Sequence, residues 1–467
     1  MRAAEKIGKM FFKSWLARDS RVHTTQDILF WIEKRNRQVN AVIKKMPLEQ
    51  SQTWYYDQED GTIHNKKRSF FSISGCEVFE NEQKIWEQPV ILQQEIGFLG
   101  ILVKPINGIL HFLMQGKIEP GNINKVQVSP TIQATKSNFT QQHGGKKPAY
   151  LEFFLDNSDG EIILDQIQSE QSSRFYRKRN RNIIILLDEN TDVPELPSHR
   201  WMTLGQIKEL LKYDNFVNMD TRTVISCIPF CNFFDNNTEN NLMKGLFQEN
   251  SLWRSFSENY SFKEFSDLYH DINDYKMFSQ IRSKLVPLAC LKDWSEKSGE
   301  IVCNKASFKV VFCRIEIEDR EVSCWDQPLF EAVGIATFAL VMRDYQGVRQ
   351  FLVKTRPEIG CFDQIEIGPT LQMEAGTDLE TLDPIERRVI KEIGLSHGIL
   401  QDVLLSEEGG RFLNEQNRNV LLFVDNDSDW ILEKGYHWVS FNTLSRLIQV
   451  NNCVNIQLRN LLTLLEI

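Results

Sequence analysis

The chain contains one long segment twice. "HFLMQGKIEPGNINKVQVSPTIQATKSN" (111–138) and "QFLVKTRPEIGCFDQIEIGPTLQMEAGT" (350–377) align without a gap, at an offset of 239. Phe112/Phe351, Leu113/Leu352, Glu119/Glu358, Gly121/Gly360, Pro130/Pro369, Thr131/Thr370 and Gln133/Gln372 are identical, and Lys117 faces Arg356, so a cation is kept. The repeat extends outward. "PLEQSQTW" matches "PLACLKDW", "IWEQPV" matches "CWDQPL", "SEQSSRF" matches "SEEGGRF", "RNRNIIILLDE" matches "QNRNVLLFVDN", and "HRWMTLGQIKELL" matches "YHWVSFNTLSRLI". The offset drifts only from 240 to 237 across these pairs, as expected where small loop insertions cost little. A chain of this kind folds as two copies of one unit.

The repeat predicts a helical segment at 1–26, a first unit at 27–228, a linker at 229–266 and a second unit at 267–467. The linker stretch is rich in Asn, Ser and Phe, has no counterpart in the other copy, and reads as a connection with a short helix. Within a unit the pattern is α+β. "RSFFSISGCEVF" alternates as a strand does, "IGFLGILVKP" and "GILHFLMQGKI" form a hairpin, and "NIIILLD" is a buried strand. "KVQVSPTIQAT" is a strand broken by Pro130, and "TLGQIKELLKYD" and "SFNTLSRLIQV" open with a capping hydroxyl and then show helical spacing. Hairpin succession argues for a mixed sheet with flanking helices and against a doubly wound parallel sheet.

Composition narrows the function classes. A net charge of -9 with no long basic run argues against nucleic acid and against a membrane surface. No stretch of 18 apolar residues is present, so no membrane span is expected. The basic N-terminus lacks the apolar core of a signal peptide and reads as a helix docked on the body or on a partner subunit. Nine scattered cysteines fit reduced thiols in a cytosol. Cys227 and Cys231 lack a second ligand pair at zinc spacing, so no structural metal is expected.

"SPTIQATKSN", "QSEQSSRFYRKRNRN", "WEQPVILQQEIGFLGIL" and "LMQGKIEPGN" together resemble the NDP-hexose 2,3-dehydratase family, over nearly the whole chain from about Asp27. The resemblance implies two tandem Nudix-type domains, a homodimer and the substrate dTDP-4-keto-6-deoxyglucose. It also implies elimination of the C2 hydroxyl to give a 3,4-diketo-2,6-dideoxy sugar, with a 3-ketoreductase acting next. No redox cofactor or pyridoxal phosphate is needed for that chemistry. A hydrolytic Nudix helix needs several carboxylates to hold Mg²⁺. The nearest match, "RRVIKEIGL", keeps Arg387, Glu392 and Gly394 but places Arg388 and Lys391 where glutamates belong, so no catalytic metal is expected.

The candidate catalytic residues are Lys117, Glu119 and Glu170. Lys117, with its matched Arg356, meets diphosphate or an enolate, or lies on a solvated face. Glu119 is a base, or pairs with the adjacent cation. Ser169 and Glu170 reach the sugar, or form a turn or cap. Thr131, Ile132, Gln133, Ala134 and Thr135, followed by Ser137 and Asn138, read as a binding wall, with Pro369, Thr370 and Gln372 as its second copy; the alternative is a polar strand edge. Trp54 and Trp294 stack on a base or sugar, or fill the core. Arg411, kept as Arg174 in the first copy, makes internal hydrogen bonds or holds phosphate. The first copy has the richer polar set, so chemistry is expected there. A nucleotide-sugar binder and a pyrophosphohydrolase with unusual metal ligands are the rival readings.

Overall fold

Asn107 and Gly108 both adopt positive φ, 53° and 78°. That combination is the type I′ turn, whose twist matches a two-strand hairpin, and it joins Gly97–Ile106 to Ile109–Ile118. Gln346 and Gly347, at 50° and 77°, do the same between Thr337–Tyr345 and Val348–Pro357. The computed structural model describes residues 3–68, 70–135, 147–155, 160–233, 243–257, 261–318, 322–424 and 430–467. In it each hairpin is the centre of a seven-stranded mixed sheet.

In the first half the order is Gly160–Ser169, Arg179–Leu187, Gly97–Ile106, Ile109–Ile118, His199–Thr203. Arg179–Leu187 runs parallel to Gly97–Ile106 and its other neighbour is antiparallel. Pro130 has no N–H for a ladder, and the chain changes neighbours there. Val126–Ser129 pairs with Ile109–Ile118, whereas Ile132–Ala134 pairs with Gly97–Ile106. The second half repeats the pattern with Ile399–Ser406, Gln416–Val424, Thr337–Tyr345, Val348–Pro357 and Tyr436–Ser440. Thr203 and Ser440 cap Leu204–Leu210 and Phe441–Ile448, accepting hydrogen bonds from the N–H groups of Gln206 and Thr443. The α+β class and the duplication are therefore both present in the fold.

The two halves exchange a strand. Ala41–Lys45 of the first pairs antiparallel with Phe308–Ile317 of the second. Its repeat equivalent, Ile281–Val286, pairs antiparallel with Ser72–Glu80 of the first. This is domain swapping carried out within one chain. Other contacts are reciprocal too. The Trp54 indole N–H donates to the Asp326 carbonyl at 2.6 Å, and that of Trp294 donates to the Glu87 carbonyl at 3.2 Å. Buried Arg222 donates to the Ser406 carbonyl, and buried Arg459 donates to the Ser169 carbonyl. The Gly121 N–H donates to the Gly409 carbonyl at 2.7 Å and the Gly360 N–H to the Ser172 carbonyl at 2.9 Å. A Cβ at Gly121 would lie 1.6 Å from the Phe412 carbonyl oxygen, and one at Gly360 would lie 1.7 Å from that of Phe175. The shared glycine therefore exists for close backbone approach between the halves.

The segment read as a linker carries more structure than its composition implied. Asn250–Ser257 and the start of Phe262–Phe278 are helical within it. Phe230, Phe247 and Phe256 pack around Phe12 of the N-terminal helix Ala3–Leu16, and Phe256 stacks on Phe441 with centroids 3.7 Å apart. Phe230, Phe233, Phe247 and Phe256 of this segment are buried, whereas Phe262 is exposed. Ser255 accepts from the Phe441 N–H as Ser14 of the N-terminal helix accepts from the Leu204 N–H, so the segment is the second half's counterpart of the N-terminal helices. The N-terminal helix docks on the body, burying Phe11, Phe12 and Trp15. Among the described residues, no helix is long and apolar enough to cross a membrane.

Candidate active site

A cavity of about 750 Å³ opens on the first half, and both halves line it. Its floor comes from the first sheet: Gly97, Phe98 and Leu99 of one strand, Lys117 and Glu119 from the next, and Gln133 to Thr135 beyond the Pro130 break. Asn180 enters from the parallel strand and Asp220 from the helix Met219–Ser226. The hairpin residues Lys66 and Lys67, both exposed, edge the mouth. The second half supplies Arg314, Trp325 and Gln327 at one side and Glu408 and Arg411 at another.

Charge is concentrated on the floor. Lys117 Nζ lies 3.2 Å from Glu119 Oε1, and Gln133 donates to the same oxygen at 3.2 Å. Arg411 donates twice to Gln93 Oε1, at 3.2 and 3.0 Å, and its guanidinium lies over the Phe71 ring. Burial pushes the Lys178 ammonium below the ordinary lysine range, against the pull of Glu170 and Glu408. Burial pushes Asp220 well above the usual carboxylate range, and Glu408, Glu170 and Glu119 add to the rise while Lys117 opposes it. Glu408 is also raised, by burial and by Glu119, with Arg411, Lys178 and Lys117 opposing the rise. Neighbouring carboxylates cannot all ionise in one dry space. The floor therefore sets acids that burial makes harder to ionise beside the amines of Lys117 and Lys178.

The structure brings Lys117, Glu119, Gln133, Ala134, Thr135, Arg411 and Trp54 together at this cavity. Glu170 is one layer behind. It accepts a hydrogen bond from Asn180 at 2.7 Å, is almost wholly buried, and is raised to about 7 by burial and by Glu408. Thr131 is a correction to the binding-wall reading. Its hydroxyl donates to the Leu113 carbonyl and accepts from the Leu102 N–H at 2.9 Å, so it stitches the sheet where Pro130 interrupts it. Thr370 does the same with Leu352 and Val341. Ile132 is a buried ladder residue paired with Gly100, and Pro369 is paired with Val353. Ser169 donates to Glu366 at 2.7 Å, away from the cavity, because Glu366 is buried there without another donor to Oε2. Trp54 and Trp294 are core residues with satisfied indoles, although Trp54 also shows an edge to the cavity. Ser137 and Asn138 lie outside the described residues.

The second copy is arranged differently. Glu374, at the position of Thr135, pairs with Arg174 at 2.9 Å and accepts from Ser307 at 2.9 Å. Arg356 pairs with Glu386 at 2.8 Å on the helix Pro384–Gly394. Gln372 donates to Glu358 at 2.5 Å, the counterpart of Gln133 and Glu119. Three ionisable positions diverge. Lys178, Asp220 and Glu408 of the cavity correspond to Glu415, Gln457 and Gln171, each at an offset of 237.

Those three residues were missed in the sequence. Lys178 lies in the run "RFYRKRNRN", which reads as a basic stretch leading into a strand. Glu408 and Gln171 lie in the matched pair "SEEGGRF" and "SEQSSRF". Asp220 was findable by extending the repeat to "VNMDTRTVI" and "VNIQLRNLL", where Asn218/Asn455 and Arg222/Arg459 persist around an acid-to-amide change. For metal ligation, Asp57, Asp60 and His64 offer ligand atoms within 4.8 Å of one another, but Arg68 already pairs with both carboxylates. The three lie on a hairpin and do not line the cavity.

A family model described as NDP-hexose 2,3-dehydratase matches residues 25–228 and 266–465. The chain is also similar to three proteins named dTDP-4-dehydro-6-deoxy-alpha-D-glucopyranose 2,3-dehydratase. The one from Saccharopolyspora spinosa is 34% identical over 477 residues, covering 98% of this chain and 94% of that protein. The one from Amycolatopsis orientalis is 35% identical over 453 residues, covering 94% and 89%. The one from Streptomyces violaceoruber is 34% identical over 453 residues, covering 95% and 97%. With both halves matched by the family model, this chain belongs to the NDP-hexose 2,3-dehydratase family.

Proposed function

We propose that this chain is a hydro-lyase that eliminates the C2 hydroxyl of dTDP-4-keto-6-deoxyglucose, and that the cavity of the first half is where it does so. One observation carries this reading: the cavity holds a lysine and two carboxylates that the duplicate copy has replaced with Glu415, Gln457 and Gln171. Its volume, about 750 Å³, is in the range of small-molecule sites.

The C4 ketone acidifies the C3 proton. Glu408, the carboxylate flanked by Arg411, Lys178 and Lys117, takes that proton. Lys117, held by Glu119, faces the enolate oxygen, where a placed cation lowers the barrier. Collapse of the enolate forms the C2–C3 double bond and expels the C2 oxygen. The enol then relaxes to the 3,4-diketone. Lys66, Lys67 and Arg314 at the mouth suit the diphosphate, and Trp325 and Phe70 suit the thymine ring.

The tandem Nudix-type ancestry belongs to this proposal. In the second half the helix Pro384–Gly394 precedes Ile399–Ser406, where a metal-binding Nudix helix would stand. Its side chains there include Arg387, Arg388 and Lys391, and its Glu386 accepts from Lys354 and Arg356. Metal-independent turnover follows. A homodimer, a cytoplasmic setting for nine free thiols, and a ketoreductase that consumes the reactive diketone complete the reading.

The test is incubation with dTDP-4-keto-6-deoxyglucose and EDTA, coupled to a 3-ketoreductase with NADPH and read by mass spectrometry. A nucleotide-linked 2,6-dideoxy sugar is expected. Release of dTMP only when Mg²⁺ is present would mark a pyrophosphohydrolase. Intact substrate, with dTDP still raising Tm, would mark a binding protein.

A further inference from the structure

We propose that Asp220 is the general acid that delivers a proton to the departing C2 hydroxyl. This assignment rests on the dehydratase reading and names a residue that neither the repeat motifs nor the resemblance singled out.

Four observations support it. Asp220 lines the cavity, yet its side chain is only 1% exposed. Its Oδ2 has no hydrogen-bond partner among the described residues, although a buried polar atom is normally paired. It follows the cap residue Asn218 on the helix Met219–Ser226, whose Arg222 is anchored to the Ser406 carbonyl at 2.6 Å, so the carboxyl is held on a rigid element. Its counterpart in the other copy is Gln457, which fits the same place and cannot supply a proton at neutral pH.

The surroundings decide between acid and base. Glu119, Glu170 and Glu408 face Asp220, with Lys117 the opposing cation. The helix N-terminus favours the anion by about 1 kcal/mol at most exposed sites, but burial among three carboxylates acts more strongly and keeps the proton on. Glu408 is raised too, by burial and by Glu119, but Arg411, Lys178 and Lys117 all favour its anion, whereas Lys117 is the cation opposing the rise at Asp220. Of the two, Glu408 is the better placed to act as the base. Two carboxyl groups whose environments diverge in this way divide into acid and base. The atoms balance. The C3–H bond breaks and its proton goes to Glu408, while the electron pair moves to the C4 oxygen. The pair returns to form the C2–C3 double bond, the C2–O bond breaks, and the leaving oxygen takes the Asp220 proton to depart as water. Asp220 is left as a carboxylate and is reprotonated as Glu408 loses its proton.

The experiment uses the full-length Asp220→Asn protein with substrate in D₂O, beside wild type. Wild type must convert the substrate; if it does not, the reaction assignment fails and this one with it. Given that, the variant should lose dehydration by about 100-fold or more. Recovered substrate should nevertheless carry deuterium at C3 by NMR, because the base still works. dTDP should still raise Tm. Dehydration within tenfold of wild type overturns the assignment. So does loss of deuterium uptake together with dehydration, which would make Asp220 the base or its support. Asp220→Gln repeats the test with the residue the second half holds at this place. If neither variant folds or binds dTDP, the role is structural and the proposal fails.

Discussion

The two pockets of this chain share a frame and differ in what fills it. Glu119/Glu358 accepts from Gln133/Gln372 in both, and a cation stands two residues before each glutamate. In the first pocket that frame surrounds a cavity. In the second, Glu374 and Arg174 form an ion pair where Thr135 and Arg411 line open space. Duplication kept the residues that hold the sheet and the halves together, and with them Glu119, Gln133 and Arg411 of the cavity, and changed Thr135, Lys178, Asp220 and Glu408.

The largest effect should test the shared frame. Gly121→Ala sets a Cβ against the Phe412 carbonyl, and Gly360→Ala sets one against that of Phe175. Neither backbone oxygen can swing away as a flexible side chain would. Both variants should lose more than about 4 kcal/mol and accumulate as insoluble protein, to similar extents. A soluble Gly360→Ala protein beside an insoluble Gly121→Ala one, measured by Tm and solubility, would show that the approach of the halves is not symmetric.

The next effect separates the pockets. Lys117→Ala should lower kcat by about 100-fold or more, by removing the cation at the enolate, with little change in Tm. Arg356→Ala should leave kcat within about twofold, and lower Tm because Glu386 loses one of its two cations. The reverse pattern in steady-state kinetics would move the chemistry to the second half.

How much of this was legible beforehand follows from the same comparison. The hairpin at Asn107-Gly108, the break at Pro130 and the capped helices after Thr203 and Ser440 are local, and the sequence carries their signals directly. The strand exchange is not local. Ala41–Lys45 and Ile281–Val286 are equivalent strands facing equivalent partners, so no pattern says which copy pairs with which. Thr131 and Gly121 drew attention because they recur, and they recur for backbone reasons. Asp220 is one acid on a short helix and becomes visible only against Gln457.

The smallest effect concerns a buried acid that only the second half has. Glu366 corresponds to Gln127; Ser169 donates to the first at 2.7 Å and Ser406 to the second at 3.0 Å. Burial raises Glu366 to about 8 from an ordinary 4.5. The folded protein therefore holds a proton that the unfolded chain has released, and stability falls as pH rises between those values. Below that window both states are protonated and no penalty exists; above it the penalty is complete and constant. Glu366→Gln gives the second half the first half's residue and removes the titration. Its Tm should match wild type near pH 4.5, exceed it increasingly up to pH 8, and keep a constant advantage of a few degrees beyond, with turnover unchanged. A Tm difference that does not vary with pH would mean that Glu366 does not hold its proton in the folded state. The buried carboxylates of the two halves would then be stabilised by their partners, with no contribution from neutrality.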